Sequence, residues 1–274
     1  MRFSTCPFSA PCYDEAYAGL SKSTIIQEFT FETHNKISLS GVIATPQNPI
    51  GSALFLRGGY GAEFGLFMDV LFAQSSLFYQ FAAAGYTTYA LDYRGTGHSQ
   101  GSENYNGTDQ IQDICELLEY ISVPNNGKKL IIGGHSRGAD AALLAANHYS
   151  GKIDGLIALS GLYDLTRLYM QRPDLYDKIT AGVQNTEQFL VERSIRHQQI
   201  SKLNSIPILL AHGKKDERSP VQNAEILYDY LLSQTRSAQL DFQVYEHGGH
   251  TINKPWVEML ENPDPRVKSE DDNK

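Results

Sequence analysis

The apolar and polar positions of this chain alternate in blocks that predict short strands followed by amphipathic helices, in a regular rhythm. Residues 24–32 and 36–45 read as two strands joined at His34-Asn35. Residues 53–56 and 130–132 are short apolar runs, the latter of the kind a buried parallel strand needs, and residues 86–91, 153–159, 206–211 and 240–245 read as further strands. Between them the period lengthens. Residues 66–84 carry apolar side chains at helical spacing and stop at Gly85, and residues 108–122 gather Ile111, Ile114, Cys115, Leu118 and Ile121 on one face. The Ala- and Leu-rich stretch from Ala139 predicts another helix, residues 219–233 one with Pro220 in its first turn, and residues 253–260 a short closing helix.

Strands and helices in this order call for an α/β fold: a mostly parallel central sheet with helices on both faces. One interval departs from it. Residues 161–203 run about forty positions without a strand and predict helical pieces inserted over the strand ends as a small lid. The expected organisation is an N-terminal arm over 1–23, one domain over 24–260 that contains the insertion, and a flexible, Pro- and charge-rich tail over 261–274.

Composition narrows the functional classes. A net charge of −8 disfavours nucleic acid or an anionic membrane surface as partner. The three cysteines, Cys6, Cys12 and Cys115, are too few and too scattered for a disulfide framework, and no Cys/His cluster has structural zinc spacing. The first ten residues lack the apolar segment of a secretory signal, and no apolar run is long enough to span a bilayer, so the expectation is a reduced, cytoplasmic protein.

The chemistry is concentrated at Gly134-His135-Ser136-Arg137-Gly138, a G-x-S-x-G between an apolar run and a helix-forming stretch. A serine on so sharp a turn is pushed out of the fold, and small residues two positions away let strand and helix approach each other. Ser136 is therefore the candidate nucleophile, and the Arg137 backbone N–H, at a helix start, a candidate oxyanion donor. A serine needs a base held by an acid. In this arrangement both follow the serine on later strand ends, which selects Asp216 after 206–211 and His250 after 240–245. Asp164 is a second candidate for the acid and His247 for the base. A metal reading of His247-x-x-His250 with His212 lacks a suitably spaced carboxylate. No metal or organic cofactor is expected. His212, His135 and His98 read as packed or hydrogen-bonded loop residues.

Gly58-Gly59-Tyr60 follows an early strand, where a second oxyanion N–H is expected; Gly59 is the first choice and Tyr60 the next. Candidate substrate contacts are Arg57, Phe64 and Tyr163. Arg57 either meets a substrate carboxylate or carbonyl or makes a structural ion pair. Phe64, Phe67, Phe72 and Phe78 either line an acyl pocket or pack a helix on the sheet.

With these residues in place, the chain resembles the α/β-hydrolase superfamily over roughly residues 25–260, and within it the catalytic domain of prolyl oligopeptidase-like enzymes. The resemblance rests on Asp92-x-Arg94-Gly95-x-Gly97-x-Ser99, the turn at 134–138, His212-Gly213-x-x-Asp216 with Ser219-Pro220, and Gly249-His250. It implies an α/β-hydrolase fold and a serine hydrolase that acts through an acyl-serine, with a small-molecule acyl substrate. Two departures set this sequence apart. The peptidases of that branch usually carry a large β-propeller before the catalytic domain, and several have a tyrosine oxyanion donor where Arg57 stands here. Both favour an esterase-like acyl hydrolase. The alternatives are a small peptide hydrolase or aminopeptidase, or a non-catalytic binding protein on the same fold.

Overall fold

The computed structural model describes residues 2–4, 24–61, 77–123, 127–234 and 239–250. Among them, nine strands form one sheet: β1 (Arg2–Ser4), β2 (Ile25–Glu32), β3 (Ser38–Thr45), β4 (Gly51–Leu56), β5 (Tyr86–Leu91), β6 (Lys129–His135), β7 (Gly155–Leu159), β8 (Ile208–Gly213) and β9 (Leu240–Tyr245). Their order across the sheet is β1-β2-β3-β5-β4-β6-β7-β8-β9. The β1–β2, β2–β3 and β3–β5 pairs are antiparallel and all the others parallel. The fold is an α/β hydrolase. The start of the expected N-terminal arm is itself an edge strand, with Arg2 to Ser4 opposite Thr30 to Glu28.

This order positions the site. The chain leaves β4 for β5 on one side and returns to β6 on the other, so the C-terminal ends of β4 and β6 lie side by side. Leu56 is in register with Gly134. A crevice at such a switch point is where α/β sheets bind their ligands. It places Arg57-Gly58-Gly59 beside His135-Ser136, although some eighty residues separate them in sequence.

β4 is buried along its whole length and β8 nearly so, which explains the apolar runs at 53–56 and 208–211. Leu54, Leu56, Ile132 and Leu210 face α2 (Thr108–Ser122), α3 (Arg137–His148) and α7 (Gln222–Gln234). Ala53, Phe55, Ala90 and Ala211 face the other way, onto α1 (Leu77–Ala83). Phe78 is fully buried there, so it packs on the sheet and lines no pocket. The expected helix over 66–84 is described only as α1; Phe64, Phe67 and Phe72 lie outside the described residues, as do the closing helix over 253–260 and the tail.

Residues 161–203 are helical, as the missing strand predicts. They hold α4 (Leu168–Gln171), α5 (Pro173–Thr180), α6 (Thr186–Glu192) and short 3-10 turns, and their apolar side chains make a small core of their own around Leu165, Leu168, Ile179 and Leu190. Tyr105 belongs to that core and Tyr60 packs against it, which ties the insertion to the loops above the strand ends.

Candidate active site

Ser136 joins β6 to α3 with φ 56° and ψ −123°, a left-handed conformation that a serine adopts only under strain. The two glycines around it make the turn possible. A Cβ on Gly134 would lie 2.0 Å from the Gly138 carbonyl oxygen, and one on Gly138 would lie 2.0 Å from that of Leu56. The Ser136 N–H donates to the Leu159 carbonyl at 2.8 Å, fixing the turn to β7.

Asp216 and His250 arrive on two loops that are bonded to each other. Lys215 N–H donates to the Gly248 carbonyl at 2.8 Å and Lys214 N–H to that of Tyr245 at 2.9 Å. Gly213 permits this approach, because a Cβ there would sit 2.3 Å from the Gly249 carbonyl oxygen. The Asp216 carboxylate is cradled. Its Oδ1 accepts from the backbone N–H groups of Arg218 and Ser219, at 2.9 and 2.8 Å. Its Oδ2 faces His250 Nδ1 at 2.8 Å and His212 Nε2 at 3.3 Å. Burial alone would raise the Asp216 pKa; the bonds from His212, His250 and the Ser219 N–H outweigh it and hold the carboxyl well below its ordinary range. The ionised carboxylate only accepts, so His250 Nδ1 carries the proton and Nε2 is left as an acceptor. Nε2 lies 3.1 Å from Ser136 Oγ. Nucleophile, base and acid candidates are thus in one hydrogen-bonded line.

The alternative assignments lie elsewhere. Asp164 caps the 3-10 turn Leu165–Arg167 and pairs with His197 at 3.0 Å. His247 is exposed, and the described residues contain no His, Cys, Asp and Glu cluster able to hold a metal ion.

Two of the three candidate substrate contacts require correction. Arg57 is fully buried. Its guanidinium donates to the Gly58 carbonyl and to Thr96 Oγ1 and lies 3.7 Å from Asp92, so it is held within the β4 and β5 loops and presents no charge to a substrate. Tyr163 is 1% exposed and belongs to the main core. Phe64 falls outside the described residues. Arg94, from the same glycine-punctuated loop as Asp92, forks onto both oxygens of Asp113 at 2.7 and 2.8 Å and locks the loop to α2.

Gly59 has φ 80°, which its lack of a side chain allows, and its carbonyl accepts from the Arg137 guanidinium at 3.3 Å. Arg137 opens α3, so its N–H belongs to the first turn, where N–H groups have no partner within the helix.

His135 and His212, read from sequence as packed or hydrogen-bonded loop residues, are hydrogen-bonded at the site. His135 Nε2 donates to the His250 backbone carbonyl at 2.8 Å, and the two rings lie 4.8 Å apart. His212, fully buried, donates from Nε2 to the Ser219 carbonyl at 2.6 Å, and Ser219 Oγ donates to the Gly161 carbonyl at 2.7 Å. The signal for the Asp216 cradle was present: an aspartate followed three residues later by serine and then proline is the pattern of a side chain that accepts from the backbone ahead of a helix. Nothing local marks His135 as a support for a residue 115 positions away.

The chain is similar to known proteins over most of its length. The sequence profile of the prolyl oligopeptidase family matches residues 72–262. An uncharacterized peptidase of Bacillus subtilis, YtmA, is 28% identical over 206 residues, covering 73% of this chain and 75% of its own. Acetyl xylan esterase 1 from Thermoanaerobacterium sp. superposes with a TM-score of 0.66 at 17% identity, over 95% of this chain and 87% of the esterase. Acylaminoacyl peptidase from Pyrococcus horikoshii superposes with a TM-score of 0.65 at 19% identity, over 87% of this chain and 40% of the peptidase. At such identities the two structures share the fold.

Proposed function

The chain belongs to the prolyl oligopeptidase family of hydrolases, and from that premise we propose that it is a serine hydrolase cleaving a carboxylic ester through an acyl-serine intermediate. The observation that carries the reading is the line from Ser136 Oγ through His250 to Asp216, at 3.1 and 2.8 Å. Ser136 Oγ attacks the acyl carbon while His250 Nε2 takes its proton, and the carbonyl electrons move onto oxygen. The N–H groups of Arg137 and of the Gly59-Tyr60 loop hold that oxyanion, each donor contributing about 2.7–4 kcal/mol by the usual measure. Collapse of the intermediate expels the alcohol, which leaves with the proton from His250. Water, deprotonated by the same nitrogen, then releases the acid. Asp216 stays ionised throughout and orients the imidazole.

The ester reading draws on the likeness to acetyl xylan esterase 1, which superposes over most of both chains. A peptide substrate is the second reading, favoured by the family and by the likeness to YtmA. A fluorophosphonate tests the mechanism: it forms a Ser136 Oγ–phosphorus bond with loss of fluoride, and mass spectrometry places the label. Folded protein that remains unlabelled, or a Ser136→Ala variant that keeps its activity, refutes the mechanism. A panel of p-nitrophenyl esters against aminoacyl anilides separates the two substrate classes. The ester reading requires the higher kcat/KM on esters.

A further inference from the structure

We propose that the Arg137 guanidinium is a positioning residue for the oxyanion hole, clamping the Gly59 carbonyl so that the two loops carrying the oxyanion donors are held in one fixed relation. The proposal rests on the serine-hydrolase reading above, but the Arg137 side chain is a separate matter from its backbone N–H.

The side chain is 2% exposed, and all five of its donors are used. Nε donates to Asn106 Oδ1 at 3.0 Å. Nη1 donates to the Gly59 carbonyl at 3.3 Å and to Glu103 Oε2 at 2.9 Å. Nη2 donates to Glu103 Oε1 and to Gln110 Oε1, both at 2.6 Å. The cation sits 4.6 Å from the ring centres of both Tyr93 and Tyr105, and 5.9 Å from that of Tyr60. A fork with every N–H committed between two aromatic faces has a single orientation.

That orientation has a chemical consequence. A trans peptide is planar, so holding the Gly59 C=O also fixes the direction of the Tyr60 N–H in the same plane. Gly59 has φ 80° and would otherwise be among the freest residues of the loop. One residue therefore contributes at both donors: its own N–H at the start of α3 and, through its side chain, the plane that carries the other. Glu103 supplies the counter-charge. Burial alone would raise its pKa, but the Arg137 bonds outweigh this and keep the carboxyl below its ordinary range. Stability alone does not require such a pair, since buried ion pairs are on average no more stabilising than apolar packing.

The test uses Arg137→Lys, which keeps the charge and loses the fork, and Glu103→Gln, which frees the guanidinium from its ionic anchor. Glu103 is 12% exposed at its side chain, so its variant is the one expected to fold if the lysine variant does not. The readouts are kcat and KM on a cleaved p-nitrophenyl ester, and the affinity of a trifluoromethyl ketone that mimics the tetrahedral oxyanion. Arg137→Lys should lower kcat about 10- to 100-fold, as expected for a donor displaced by a fraction of an ångström, with KM within about threefold. Glu103→Gln should lower kcat about three- to tenfold by the same route. Ketone affinity should fall in proportion to kcat/KM in both. A merely structural role would instead lower the active fraction and leave the ketone affinity of the folded fraction untouched, and that result overturns the proposal. So does an unchanged kcat in the folded Glu103→Gln variant. Ser136→Ala is measured alongside: if it remains active, the hydrolase reading itself has failed; if it is inactive while the Arg137 and Glu103 variants behave as wild type, only the clamp has failed.

Discussion

Gly138→Ala tests the contact that holds the nucleophile turn against the sheet. The added Cβ would lie 2.0 Å from the Leu56 carbonyl oxygen and 2.6 Å from that of Arg57. Both neighbours are backbone and cannot swing aside. Real Cβ atoms keep at least 3.0 Å, so the start of α3 has to retreat from β4 by about 1 Å. Overpacking of this kind costs about 1–3 kcal/mol. Alanine's better helix propensity returns about 0.5–1 kcal/mol of that, leaving a net loss of up to about 2.5 kcal/mol. Activity should suffer more than stability. A catalytic group misplaced by about 1 Å costs about 100-fold, and the retreat carries both Ser136 and the Arg137 N–H. The assay is urea unfolding together with kcat/KM on a p-nitrophenyl ester at a temperature well below the transition. Gly155→Ala is the control: a Cβ there meets nothing within 4 Å, so both readouts should stay near wild type, within about 0.5 kcal/mol. A Gly138→Ala protein with wild-type kcat/KM would show that the turn is not pinned by this contact.

Two further outcomes follow from buried carboxyls. Asp140, one turn beyond the nucleophile, accepts from the Ile195 N–H and from Asn106, both at 3.2 Å, and burial pushes its pKa up to about 8. Folded protein therefore keeps a proton that the unfolded chain releases near its ordinary value of 3.8, so this group's contribution to stability falls as pH rises from about 4 to about 8. Asp140→Asn should flatten the decline by up to about 1.4 kcal/mol per pH unit, read from urea midpoints between pH 5 and 8; an unchanged slope refutes the assignment. Asp216 has the opposite sign: its depressed pKa contributes stability that is present above about pH 4 and is lost as the medium acidifies below it. Asp216→Asn should lower kcat about 10⁴-fold by presenting an N–H to His250 Nδ1 and favouring the wrong tautomer, and a loss under tenfold in stopped-assay kinetics would exclude Asp216 as the acid.

The centre of the sheet was legible because β4 is buried on both faces and carries an uninterrupted apolar run, and β5 and β9 begin and end at residues 86–91 and 240–245 as expected. Elsewhere boundaries moved. β6 extends to His135 and β8 to Gly213, past their apolar runs, because main-chain pairing with neighbouring strands continues through polar residues and glycine. The edge strand Arg2–Ser4 has no such run, and only its partner β2 defines it. The triad candidates were legible for a different reason: the turn at Ser136 and the glycine at 213 are steric necessities that leave a mark in sequence. The direction in which a long side chain turns leaves none. Arg57 stands at the mouth of the crevice by sequence and yet points into the fold, toward Thr96 and Asp92, partners some forty residues away. Arg137 raised the same difficulty, since its acceptors come from two separate stretches of chain, Gly59 and residues 103–110.

The bonding of the Lys214–Asp216 loop to the Gly248-Gly249 turn means that proton acceptor and anion travel as a single body, while the hydroxyl they serve rides on another. Separation of this pair of loops from the Ser136 turn would thus lengthen the gap between oxygen and imidazole before it disturbed the imidazole and its carboxylate. The bond from His135 to the His250 carbonyl is the strap across that seam. Any ligand or modification that loosened it would silence turnover while leaving the His250–Asp216 hydrogen bond intact and ready to re-engage.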